Sequence, residues 1–65
     1  MTAAKRNELD FVIDKIDMRA GSYVEFEVMT ESGPSKRLAF DHMTGKEIIE
    51  SWGDKILSYT FVENQ

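Results

Sequence analysis

Polar and apolar residues alternate most regularly between Tyr23 and Asp41. Val24, Phe26 and Val28 alternate with Tyr23, Glu25, Glu27 and Met29, the period of two of a strand with one buried face. The run from Lys36 to Asp41 sets Leu38 and Phe40 against Arg37 and Ala39. Between the two lies Glu31-Ser32-Gly33-Pro34-Ser35, where Gly accepts positive φ and Pro cannot donate to a ladder, so the chain is expected to reverse there. With these residues as the loop, Thr30 faces Lys36, Val28 faces Leu38 and Phe26 faces Phe40. That register puts Leu38 and Phe40 in the core and turns Arg37 and Ala39 outward with Glu25, Glu27, Met29, Ser58 and Thr60.

The pattern then changes to helical spacing. Thr44-Gly45-Lys46-Glu47 fits a capping box, in which the Thr44 hydroxyl takes the Glu47 amide and the Glu47 carboxylate reaches back. Met43 and Ile48 sit where a hydrophobic staple would close. Ile48, Ile49 and Trp52 share a face, and Gly53 supplies the residue that stops the helix. Two turns span roughly 12 Å, too short to persist without packing on a sheet. After Gly53-Asp54, Lys55 to Val62 reads as a half-buried strand with Leu57, Tyr59 and Phe61 inward and Ser58 and Thr60 outward. Glu63, Asn64 and Gln65 are expected to fray.

The segment from Thr2 to Arg19 supports two structures. As a helix it aligns Leu9, Val12, Ile13 and Ile16 but leaves Phe11 and Met18 in water. As a strand it alternates Phe11 and Ile13, and a bulge near Asp14-Lys15 returns Ile16 and Met18 to their face; Arg19-Ala20-Gly21-Ser22 is then the turn into Tyr23. The strand is preferred because it takes Phe11 and Met18 out of water. The expected fold is α+β: a small three- or four-stranded, mainly antiparallel sheet with one short helix on one face, ordered β-β-β-α-β, or α-β-β-α-β in the alternative. Candidate core residues come from every segment, so residues 1–65 are expected to form a single compact α+β domain.

Composition narrows function by exclusion. The 65 residues hold 12 acids, 8 bases, one His and no Cys, for a net charge of −4. No disulfide or thiolate metal site can form. No apolar run is long enough to cross a bilayer, and Met-Thr-Ala-Ala-Lys-Arg leads into charged residues, so a whole gene product working in the cytoplasm is expected. The acidic balance argues against direct nucleic-acid binding and against attachment to a membrane surface. His42 lies near Asp41 and Thr44 and is read as structural, because nucleophilic catalysis needs an activated nucleophile, a base and an orienting group. Asp10, Asp14 and Asp17 would form one row on a helix; without the glycine turn and bidentate Glu of a calcium loop they are read as a solvated face. No catalytic residue, metal or cofactor is expected, and the chain is read as not an enzyme.

What remains is a surface. The expected role is a non-catalytic protein-binding module, a small acidic inhibitor or modulator of a larger protein, with a nucleic-acid enzyme among the candidate targets because its basic groove attracts carboxylates. Glu25, Glu27, Glu31, Asp41 and Met29 are the candidate partner-binding residues. In length, lack of Cys and hairpin-helix-strand order, Tyr23 to Val62 resembles small phage-encoded inhibitors of host enzymes, including uracil-DNA glycosylase inhibitors and anti-CRISPR proteins. That resemblance implies an inhibitor and assigns no residue a role. The alternative is a structural or oligomeric subunit, a homodimer in the simplest case, that self-associates through its sheet face or edge; Met29, Tyr23, Val62 and Ile56 are apolar positions the core does not need.

Overall fold

In the computed structural model, which describes residues 1–63, two helices lie side by side on one face of a three-stranded antiparallel sheet. The elements are α1 (Ala3–Met18), β1 (Tyr23–Thr30), β2 (Gly33–Ala39), α2 (His42–Trp52), a single 3-10 turn (Gly53–Lys55) and β3 (Ile56–Val62). The fold is α+β, in the order α-β-β-α-β. Glu63 follows β3 without regular structure, and the expected fraying of Asn64 and Gln65 lies outside the described residues.

The first segment is a helix and not the preferred strand, so two helices cover the sheet where one was expected. The Thr2 hydroxyl caps α1 by accepting the Lys5 amide at 3.2 Å, and Leu9, Val12, Ile13 and Ile16 are all buried. Burying four large aliphatic side chains is worth about 1.5–3 kcal/mol each, and a helix satisfies its own backbone hydrogen bonds where a strand would need a further sheet neighbour to do so. Those two remain 66% and 79% exposed. The turn expected at Arg19 to Ser22 is present: Gly21 takes φ 80°, and the buried Ser22 donates its hydroxyl to the Arg19 carbonyl at 2.6 Å.

The sheet order is β2-β1-β3. The hairpin reverses through Glu31-Ser32 alone, with Thr30 opposite Gly33, Val28 opposite Ser35, Phe26 opposite Arg37 and Val24 opposite Ala39. This corrects the five-residue loop by three positions, an odd shift that exchanges the faces of β2. Ala39 is fully buried and Arg37 half-buried beneath the helices, whereas Leu38 and Phe40 stand 43% and 61% exposed on the other face. The turn holds because Gly33 takes φ 109°, the Thr30 hydroxyl donates to the Gly33 carbonyl at 2.6 Å and the Ser32 amide donates to Thr30 Oγ1 at 3.2 Å. Pro34 lies within β2, which is tolerated because β2 is an edge strand.

The cap of α2 is Asp41, not Thr44. Asp41 Oδ1 accepts the Thr44 amide at 2.7 Å, and Thr44 Oγ1 accepts the Asp41 amide at 3.2 Å and the Phe40 amide at 3.1 Å. The box closes three residues early because Thr44 serves two orphan donors from the N3 position. Met43, 72% exposed, makes no staple. Ile49 is buried, with Ile48 and Trp52 packed partly buried against the core, and Gly53 ends the helix at φ 45°.

β3 carries a bulge. Glu27 faces Ser58 while Val28 faces Ile56, so Leu57 is the extra residue. It is 49% exposed, and Ile56, expected to be dispensable to the core, is 2% exposed. Tyr59 and Phe61 point toward the helices, as their alternation implied, and are partly buried.

Candidate functional site

Both helices pack on the face bearing Val24, Phe26 and Val28, which leaves the opposite face of the sheet uncovered. Along β1 that face shows Tyr23, Glu25, Glu27 and Met29. The observed register lays them out in cross-strand rows. Phe40 and Val62 flank Tyr23, Leu38 and Thr60 flank Glu25, Lys36 and Ser58 flank Glu27, and Pro34 lies opposite Met29.

These rows divide the face into three zones. At one end the Tyr23 and Phe40 rings stand 5.5 Å apart at 43°, an arrangement worth about 0.5–1.5 kcal/mol beyond area burial, and Leu38 extends the ridge. In the middle lie the carboxylates. Lys36 Nζ reaches Glu25 at 3.2 Å, an exposed pair worth about 0–1 kcal/mol, and Glu27 has no ion-pair partner among the described residues. At the far end Met29 is 41% exposed.

Of the candidate residues, Glu25, Glu27 and Met29 therefore share one face. Glu31 sits in the hairpin turn beyond Met29, and Asp41 lies past the other end of β2. Asp41 is occupied by its cap: the backbone hydrogen bond from Thr44, with the Thr44 side chain next, holds its carboxyl below the ordinary 3.8. The arrangement separates Glu31 from Asp41 by the length of β2, so the five do not converge. Leu38 and Phe40 are the residues missed. Their signal was Pro34, which fits an edge strand as well as a loop, and Gly33, which can take positive φ directly after a two-residue turn.

His42, the first residue of α2, places Nδ1 2.9 Å from Asp14 Oδ1 of α1, with both side chains about half exposed. Asp10 pairs with Arg6 at 3.5 Å. The acidic row thus engages Asp10 in an ion pair with Arg6 and Asp14 in a contact with the His42 imidazole, and among the described residues no group of three His, Asp or Glu is placed to hold a metal. Two shallow grooves follow the seam between α1 and β3, and neither includes His42. Among the described residues no helix is long and apolar enough to cross a membrane. No protein-family model, curated protein or solved structure matches this chain.

Proposed function

We propose that the chain is a non-catalytic binding module that inhibits or modulates a larger protein in the cytoplasm through the uncovered face of its sheet. The observation that carries this reading is the orientation of β2. Leu38 and Phe40 face water while Arg37 lies under the helices with its guanidinium 5.2 Å from the Trp52 ring centroid. A sequence that sets its apolar residues outward and a cation inward breaks the pattern that stabilises a lone chain, and such breaks concentrate where a surface has a use.

Covering the ridge of Tyr23, Leu38 and Phe40 regains about 25 cal/mol per Å² of apolar surface. The neighbouring Glu25 and Glu27 then select the target. They favour a partner with an apolar hollow bordered by Lys or Arg, and at net charge −4 they speed its approach more than they tighten its grip. A basic groove in a nucleic-acid-processing enzyme has this character.

The test is affinity capture from the source cell with the natural chain, with Leu38→Ser/Phe40→Ser, and with Leu57→Ser as a control from outside the ridge. Loss of one captured protein from the ridge variant alone supports the proposal. Retention by all three chains removes the ridge from the interface.

A further inference from the structure

A second exposed surface is the seam where β3 and the outer flank of α1 meet. The two edges of the sheet are built differently. β2 carries Pro34, Lys36 and Arg37, the devices that stop an edge from pairing with another chain. β3 reads Ile-Leu-Ser-Tyr-Thr-Phe-Val, with no charge, proline or glycine. Its bulge at Leu57 leaves Ser58 to Val62 in regular register.

Beside that bare edge α1 exposes Phe11 and Met18. Lys15 Nζ stands 5.1 Å from the Phe11 ring and 6.0 Å from the Phe61 ring, which fixes this flank of the helix alongside β3. A groove of about 290 Å³ opens at Met18 and Phe61, and one of about 210 Å³ at Glu8 and Tyr59.

The flank reads Ala4, Glu8, Phe11, Lys15, Met18, steps of four and three that keep one stripe on a helix. Turned end for end, the stripe complements itself. Phe11 meets Phe11, Glu8 meets Lys15, and small Ala4 meets long Met18. A second copy related by a two-fold axis through Phe11 supplies that reversed stripe, with each contact made twice. The same axis suits the strand. Tyr59 donates to Glu8 Oε1 at 2.6 Å and Lys15 lies over Phe61, so Phe11 stands level with Thr60. A two-fold there pairs Thr60 with itself, Tyr59 with Phe61 and Ser58 with Val62, antiparallel and with no like charges opposed.

We infer that the chain forms a symmetric homodimer in which the β3 edges join two sheets into one of six strands and the α1 stripes pack antiparallel across the axis. A standard interface takes about 800 Å² from each partner, roughly a sixth of the 4443 Å² of this chain's surface. The ridge at Leu38 and Phe40 lies outside this contact, and the dimer does not depend on the function proposed above.

Sedimentation equilibrium from micromolar to millimolar concentration tests it. The natural chain is expected to approach twice its monomer mass. Phe11→Asp, a change at an exposed position, should weaken association about tenfold or more with the far-ultraviolet circular dichroism unchanged. Lys15→Glu should weaken it as well, and adding Glu8→Lys should restore it by reversing the pair. Phe40→Asp should leave it unaltered. A monomer throughout the range overturns the inference, as does a dimer indifferent to Phe11→Asp, or one broken by Phe40→Asp, which would be a sheet-face dimer.

Discussion

Gly45 of α2 lies directly against Ile13 of α1, so close that a Cβ built on the glycine would come 2.6 Å from Ile13 Cγ2. The two helices owe their close approach to this contact. Ile13 is fully buried and branched, with no flexible end to move aside. Glycine within a helix costs about 1 kcal/mol relative to alanine, so Gly45→Ala would stabilise a free helix. Here overpacking of about 1–3 kcal/mol opposes that gain, and a net loss of stability in urea unfolding is expected. An increase would contradict the contact.

Ile56 and Leu57 make a paired test of the bulge in β3. Ile56→Ala should cost about 2–5 kcal/mol, a large share for so small a domain. Leu57→Ala should change stability by less than about 0.5 kcal/mol. Equal losses, measured in the same denaturant series, would mean that Leu57 is not the residue left out of the ladder.

Arg37 and Lys36 are adjacent cations with unequal roles. The Arg37 guanidinium lies over Trp52, and Arg37→Ala should lose about 0.5–1 kcal/mol of cation–π contact together with stem packing. Lys36→Ala removes only the exposed pair with Glu25 and should lose less. Thermal unfolding of the two variants ranks them.

Asp41 makes the start of α2 sensitive to acid. Its folded carboxyl lies below the ordinary 3.8 because it accepts from the Thr44 amide. A group lowered on folding stabilises the native state above its unfolded pKa, and that contribution fades as pH falls through the folded value. The loss is therefore expected below about pH 4. Asp41→Asn keeps an acceptor and should melt near the natural chain at neutral pH with a shallower decline in acid. Asp41→Ala should melt lower at every pH. Melting curves across this window check both.

Much of the fold was legible because local signals agreed. Val24, Phe26 and Val28 form the buried face that their alternation indicated, Gly53 stops α2, and Arg19 to Ser22 make the turn into β1. Where two readings competed, the pattern of apolar and polar residues did not decide between them. Thr44 was read as the cap of α2, and the cap at Asp41 instead lets Thr44 Oγ1 receive two amides. Phe11 and Met18 weighed against a helix only if every apolar residue belongs inside a single chain. Leu38 and Phe40 carried a true strand signal whose face depended on where the turn fell, and Gly33-Pro34 serves either as loop or as the start of an edge strand. Of the candidate face, Glu25, Glu27 and Met29 were readable from β1 alone. The apolar ridge was not, because it depends on the register between strands.

That register underlies the exposed ridge and therefore the proposed binding face. Nuclear Overhauser contacts across the hairpin test it most directly. The expected result is backbone proximity of Glu25 to Leu38 and of Phe26 to Arg37. Proximity of Phe26 to Phe40 and of Val28 to Leu38 would return both apolar side chains to the core and contradict the proposed face.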